Sequence, residues 1–91
     1  MRDGAGEGGA LKVLLADDHA LFRGGMRYLL SEFDRDVQAS EASSFAEAVS
    51  VLNQQDFDLI FIDLVMPGMD QMQGIQSLRE LRPTTPIIVE L

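Results

Sequence analysis

The hydrophobic and polar positions of the chain follow two periods, one typical of buried strands and one typical of amphipathic helices. Four short apolar runs predict strands, and three stretches with apolar residues three or four positions apart predict helices. The predicted strands cover 11–16, 37–42, 58–65 and 86–89, and the predicted helices cover 20–33, 45–52 and 72–81. Strands and helices therefore alternate from the first predicted element to the last.

Two of the helices begin with a capping pattern, in which a small polar residue is followed three positions later by Glu or Gln. Ser44 and Glu47 form this pattern before the second helix, and Asp70 and Gln73 form a similar one before the third. Pro83 is expected to end the third helix, because proline cannot continue it.

The alternation of strands and helices predicts an α/β fold, in which helical crossovers join parallel strands and cover both faces of the sheet. The run 58–65 is the most apolar and is expected at the centre of the sheet, whereas the weaker run 37–42 fits an edge. Residues 1–9 hold four glycines and little that could be buried, so we expect a flexible tail there. A single domain is expected over 10–91.

Composition and charge exclude several classes of protein. The 91 residues are 46% hydrophobic, and 7 Lys+Arg against 15 Asp+Glu give a net charge of −8. This charge argues against direct binding to nucleic acids or to anionic membrane surfaces. The absence of cysteine excludes disulfides, thiol catalysis and Cys-ligated metals. Since no apolar run is long enough to cross a bilayer, we expect a cytoplasmic protein.

The most informative residues are three acids at predicted strand ends. Asp17 and Asp18 follow the first strand, and Asp63 lies near the carboxyl end of the third. Carboxyl ends of parallel strands meet at the ligand-binding edge of such sheets, so the three acids should converge. Clustered carboxylates repel one another and suit Mg²⁺, and one of them can attack a phosphoryl group. The alternative is that each acid only caps a helix or shapes a turn.

Two segments also carry a family resemblance. The segment LADDHALFR at 15–23 and the segment DLVMPGMD at 63–70 resemble the receiver domain of bacterial two-component response regulators. The first segment is particularly similar to receivers that precede a LuxR-type DNA-binding domain, and the likeness extends from about residue 11 to residue 89. The resemblance implies an open parallel sheet of the CheY/flavodoxin-like type, truncated to four strands and three helices with strand order 2-1-3-4.

The resemblance also implies roles for individual residues. A sensor histidine kinase would pass a phosphoryl group to Asp63, the phosphoacceptor. Asp17, Asp18, Asp63 and the backbone carbonyl of Val65 would hold Mg²⁺. His19 is expected to cap the first helix or to lie at the surface rather than to act as a catalytic base.

The chain departs from the family pattern at several points. The family's fold continues with a fourth helix, a fifth strand and a fifth helix, and its lysine on the fifth strand has no counterpart because Lys12 is the only lysine here. The Ser or Thr of the fourth strand aligns near Leu91, and Gln71 stands where the family usually has glycine. Met66 and Met69 are expected to pack within the loop beside the site. We therefore expect the acceptor chemistry to survive and the conventional switch to be lost.

Truncation should also affect folding. Without the fifth helix, we expect apolar side chains of the first and third strands to be exposed. If about four side chains are no longer buried, the loss in folding free energy is roughly 6–12 kcal/mol, comparable to the whole stability of a domain. This predicts a homodimer, paired through the first helix or the edge of the fourth strand.

The leading interpretation is a stand-alone, truncated receiver that binds Mg²⁺, accepts phosphate at Asp63 and acts through protein contacts. One alternative is a dimeric interaction module that works without phosphorylation. Another is a fragment of a longer DNA-binding regulator. An enzyme acting on a free substrate is not expected, because the sequence shows no glycine-rich phosphate loop and no separate acid–base pair.

Overall fold

A computed structural model describes residues 10–90 of the chain. Its elements are, in chain order, β1 (Lys12–Ala16), α1 (Ala20–Phe33), β2 (Gln38–Ala42), α2 (Phe45–Gln54), β3 (Leu59–Asp63), α3 (Gln71–Leu81) and β4 (Ile87–Glu90). The four strands and three helices predicted from the sequence are all present. The predicted tail at 1–9 and Leu91 lie outside the described residues.

The four strands form one parallel sheet in the order β2-β1-β3-β4. This confirms the α/β class and the predicted strand order, with the weakly apolar β2 at an edge and the strongly apolar β3 inside. Ala16 at the end of β1 pairs with Ala42 on one side and Ile62 on the other, and Asp63 pairs with Glu90. The carboxyl ends of all four strands therefore lie at one edge of the sheet.

The main core lies between one face of the sheet and the helices α2 and α3. Alternate residues of β1 and β3 point to this face, because side chains of a strand alternate between its two sides. The largest fully buried side chains from the strands and helices of this core are Leu14, Ile60, Ile62, Leu52 and Leu78. This packing fixes the positions of β1 and β3, the two strands that carry the predicted acids at their carboxyl ends.

The opposite face of β1 is better covered than the sequence analysis predicts. Val13 is 0% exposed and Leu15 is 1% exposed, so the expectation that the first strand is bared is wrong. The helix α1 contacts β1 and is sufficient to shield this central strand. The large exposed apolar side chains of the described residues lie elsewhere, on α1, after β3, on α3 and on β4: Leu21, Tyr28, Leu29, Phe33, Val65, Met72, Ile88 and Val89.

The ends of the strands and helices differ from the sequence analysis at two further points. The third strand ends at Asp63 rather than at 65, because the chain turns at once into the loop that follows. Ser44 caps α2 as predicted, since its Oγ accepts the Glu47 N–H at 3.2 Å. Asp70 occupies the N-cap position of α3 without a side-chain capping bond, so the second capping pattern is wrong. Within 10–90, no helix combines the length and apolarity needed to span a membrane.

The loop before α3 holds two residues in a backbone conformation that favours glycine. Gln71 has a φ of 21°, on the positive side where glycine is the least strained residue. The neighbouring Gly68 has a φ of 79° and provides the turn between Pro67 and α3. The loop that follows β3 is therefore held in a specific shape beside the sheet edge.

Candidate functional site

The predicted acids converge at the carboxyl edge of the sheet. Asp17 and Asp18 directly follow β1, and Asp63 is the last residue of the adjacent strand β3. One ligand atom from each of these acids and from His19 can be chosen so that all four atoms lie within 4.8 Å of one another. The convergence expected from strand topology is therefore confirmed.

Asp63 is held so that its two carboxylate oxygens have different surroundings. The residue is 3% exposed, and its Oδ1 accepts the backbone N–H of Val65 at 3.0 Å. This local bond is the turn that an aspartate forms with the residue two positions later. The other oxygen, Oδ2, lies 3.9 Å from Nδ1 of His19. Oδ2 is thus the oxygen that faces the rest of the acidic cluster.

Asp17 is the second buried acid, at 5% exposure. Its Oδ1 accepts two hydrogen bonds from His19, one from the backbone N–H and one from the ring Nδ1, each at 2.7 Å. Burial opposes ionisation of this carboxyl, but the bonds from His19 and a hydrogen bond with Glu90 hold the pKa of Asp17 below its ordinary value. Asp18 is more open, with 34% of its side chain exposed. The two adjacent acids therefore present one buried and one accessible carboxylate.

His19 belongs to the acidic cluster. It occupies the N-cap position of α1 and its ring is 67% exposed, as expected, but its side chain makes no capping bond. Instead Nδ1 lies 2.7 Å from Asp17 and 3.2 Å from Asp18. The hydrogen bond to Asp17 and the charges of Asp18 and Asp17 raise the pKa of His19. When protonated, the imidazole is therefore a local counter-charge for the acids, a role that its position next to two aspartates could have indicated.

Glu90 was missed by the sequence analysis. It ends β4 and lines the same cavity, of about 460 Å³, as Asp17 and Asp63. Burial, a hydrogen bond with Asp17, and the charges of Asp17 and Asp63 raise the pKa of Glu90 to about 7. Glu90 could have been predicted from the sequence because it lies at the end of a predicted strand, as the aspartates do.

The residues of the loop after β3 orient Asp63 and pack beneath the site. Val65 directs its backbone N–H to Asp63 while its side chain is 65% exposed. Met66 is buried in the core and Met69 packs against that core, which confirms their packing role. The donor set at the sheet edge, three aspartate carboxylates with two of them buried, consists of the hard oxygen ligands that fit Mg²⁺.

Comparison with known proteins gives a consistent result. Residues 13–90 match the family described as the response regulator receiver domain. The chain is 37% identical over 79 residues to the glycerol metabolism activator of Pseudomonas putida and 36% identical over 78 residues to the nitrate/nitrite response regulator protein NarP of Escherichia coli. Each alignment covers 86% of this chain and 36% of the relative. The chain thus spans about a third of the length of these curated relatives.

Solved structures share the fold. The chemotaxis response regulator CheY4 of Vibrio cholerae superimposes with a TM-score of 0.77 at 27% sequence identity. The superposition covers 88% of this chain and 67% of CheY4. The parallel four-stranded sheet and its three helices therefore correspond to most of a CheY-like domain.

Proposed function

The chain belongs to the response regulator receiver family of two-component signalling, and from this premise we propose that Asp63 is its phosphoacceptor. The cation site of this proposal consists of Asp17, Asp18, Asp63 and the backbone carbonyl of Val65, and the cation is Mg²⁺. The phosphoryl group comes from a sensor histidine kinase, the kind of protein with which receivers of this family interact. The protein acts as a signalling module in the cytoplasm and not as an enzyme with a free substrate.

The observation that carries this proposal is the convergence of a buried aspartate with two further acids at one sheet edge. Asp63 is 3% exposed inside an apolar strand, where an ionised carboxylate is costly unless it has a role or a partner. Helix capping does not explain it, because α3 begins eight positions later. The structural alternative of a simple turn residue explains the bond to Val65 but not the convergence with Asp17 and Asp18.

In this proposal the two oxygens of Asp63 have different tasks. Oδ1 is engaged by the Val65 N–H, which fixes the orientation of the carboxylate. Oδ2 is the attacking atom: it forms a bond to phosphorus while the bond from phosphorus to the donor nitrogen or oxygen breaks. The product is an acyl phosphate on Asp63, and the donor leaves with the bonding electron pair and takes up a proton. A bound Mg²⁺ supplies neutralisation of the charge on the phosphoryl oxygens.

The test is mass spectrometry after incubation with Mg²⁺ and acetyl phosphate, a small-molecule phosphodonor. We expect one phosphoryl group per chain, lost on treatment with hydroxylamine, which cleaves acyl phosphates. Asp63→Asn should gain none. The matched control is Asp36→Asn, which removes the same charge at an exposed position and should be modified like the parent. Equal modification of the parent and Asp63→Asn would refute the assignment.

A second candidate function rests on the exposed face of α1. Leu21 is 90% exposed and Phe33 is 85% exposed, and Tyr28 and Leu29 add further apolar surface on the same helix. Patches of this kind are typical of interaction surfaces. We propose that a second copy of the chain covers α1, so that the protein forms a homodimer, and that this dimer is an interaction module even without phosphorylation.

Native mass spectrometry of the same samples tests the dimer. A dimer that is lost in a Leu21→Ser, Phe33→Ser double variant supports pairing through α1. A monomer at all concentrations refutes it and favours the remaining alternative, a piece of a longer receiver and DNA-binding regulator in which another segment covers α1. The lengths of the curated relatives, about three times that of this chain, are the observation behind that alternative.

A further inference from the structure

A largely buried arginine connects the acidic edge of the sheet to its neighbours. Arg23 lies near the start of α1, and 15% of its side chain is exposed. Its Nε donates a hydrogen bond to Oε1 of Glu41 on β2 at 2.6 Å. A second guanidinium nitrogen, Nη1, donates to the backbone carbonyl of Asp17. One guanidinium therefore joins the first helix, the edge strand and the acid that follows β1.

The carbonyl of Asp17 lies just beyond the regular pairing of β1. The last residue of that strand, Ala16, is in register with residues of β2 and β3 on its two sides. The N–H of Asp17 still donates to the Ala42 carbonyl at 3.0 Å, whereas its own carbonyl accepts from Arg23. A backbone carbonyl in a buried position needs such a partner. The bond from Arg23 therefore fixes the direction of the peptide group that joins Asp17 to Asp18.

Arg27 provides a comparison within the same helix. It lies one turn further along α1, contacts the other carboxylate oxygen of Glu41 at 3.2 Å and donates to the Ala39 carbonyl of β2 at 2.9 Å. Both arginines thus attach α1 to β2. Among residues 10–90, however, no hydrogen bond joins Arg27 to the acidic edge. Attachment of the helix to the sheet does not by itself account for the bond between Arg23 and Asp17.

We propose that Arg23 is a positioning residue of the acidic site: by holding the Asp17–Asp18 peptide, it keeps the two carboxylates close to that of Asp63 and raises the affinity of the site for Mg²⁺. The inference rests on the proposed cation site and adds a residue outside its ligand set. Guanidinium donors form a rigid fork, which suits a bridge between the Glu41 carboxylate and a carbonyl. Groups that orient metal ligands in this way typically change metal affinity by about 10–100-fold when they are removed.

The sign of the effect distinguishes positioning from simple electrostatics. Arg23 is positively charged, and like charges repel, so loss of this charge alone would strengthen the binding of a nearby cation. Loss of the bond to Asp17 would instead weaken cation binding, because the carboxylates would no longer be held in place. Weaker binding in a folded Arg23 variant is therefore the outcome that positioning predicts.

The test is isothermal titration of the full chain with Mg²⁺. Arg23→Gln removes the bridge, and we expect the Mg²⁺ affinity to fall by about tenfold. Arg27→Gln is the matched control, since it removes the same charge from the same helix and another partner of Glu41. This control should bind Mg²⁺ at least as tightly as the parent. Circular dichroism establishes that each variant is folded before titration.

Arg23→Lys separates geometry from charge and is a second variant in case Arg23→Gln does not fold. Lysine keeps the charge beside Glu41 but lacks the planar fork, so we expect its Mg²⁺ affinity to fall toward that of Arg23→Gln. The ¹⁵N NMR signal of the Asp18 amide reports the bond directly, because a donor at the Asp17 carbonyl polarises the same peptide group. It should shift in both Arg23 variants and stay in place in Arg27→Gln.

Failure of the inference and failure of the proposed function give different results. Affinity equal to that of the parent in the folded Arg23 variants overturns the inference, and so does an equal fall in Arg27→Gln. If the parent then still binds Mg²⁺ and Asp17→Asn abolishes that binding, only the role of Arg23 is refuted. If the parent binds no Mg²⁺, the proposed cation site fails together with the inference.

Discussion

Replacing Asp63 with asparagine directly tests whether the clustered carboxylates of the site repel one another. The residue is 3% exposed, and asparagine has nearly the same shape. Its amide oxygen can keep the hydrogen bond that Oδ1 of Asp63 accepts from the Val65 N–H at 3.0 Å. The substitution therefore removes one negative charge from the cluster and changes the packing of β3 very little.

The size of the effect follows from the separation of the charges. Ligand atoms of Asp17, Asp18 and Asp63 lie within 4.8 Å of one another. At an effective dielectric constant of about 20, two unit charges at that distance repel by about 3.5 kcal/mol. The neighbouring His19 offsets part of this repulsion when its ring is protonated. We expect Asp63→Asn to raise the free energy of unfolding by about 1–3 kcal/mol when no divalent cation is present.

The assay is urea denaturation followed by circular dichroism at about pH 8, with EDTA and then with saturating Mg²⁺. A bound cation stabilises the folded parent by mass action, so the advantage of Asp63→Asn should shrink when Mg²⁺ is added. Asp36→Asn is the control for a change in net charge at an exposed position. The reasoning is refuted if Asp63→Asn is less stable than the parent in EDTA, or if Asp36→Asn gains as much.

Three further outcomes are expected, each measured by chemical or thermal unfolding. Leu14→Ala should cost about 2–5 kcal/mol because Leu14 is fully buried, whereas Met72→Ala at an exposed site should change stability by less than about 0.5 kcal/mol. Ser44→Ala should cost about 1 kcal/mol through loss of the cap on α2. The pKa of Glu90 is raised from 4.5 to about 7 in the fold, so its protonated form contributes stability that is complete below about pH 4.5 and is lost as pH rises through about 7. Glu90→Gln should remove that decline, and an equal decline in parent and variant would contradict it.

The fold and the three aspartates could be predicted because they depend on regular patterns. Periodic apolar residues identify strands and helices, and parallel strands separated by helices have few possible connections. Once β1 and β3 are neighbours, Asp17 and Asp63 must lie at the same edge. The prediction therefore needed no knowledge of individual side-chain contacts.

The remaining features depend on contacts that a linear pattern does not contain. Burial of Leu15 depends on how closely α1 approaches β1, so exposure of the first strand was predicted wrongly. The bare N-cap at Asp70 reflects the loop geometry, with a φ of 21° at the next residue, Gln71. His19 joins the acids because its ring turns back to Asp17 at 2.7 Å. Each of these outcomes is decided by the orientation of one side chain or one loop.

The acidic edge connects the function of the domain with its stability. Four carboxyl groups at the ends of β1, β3 and β4 repel one another, and within residues 10–90 the ring of His19, when protonated, is the positive group that contacts Asp17, Asp18 and Asp63. Substitutions that remove this repulsion should stabilise the fold, yet the three aspartates provide the proposed cation ligands and phosphoacceptor. Functional sites commonly keep such destabilising groups. A bound cation and a protonated His19 both reduce the repulsion, so the stability of this domain should depend on cation concentration and pH through the same few residues that carry its proposed chemistry.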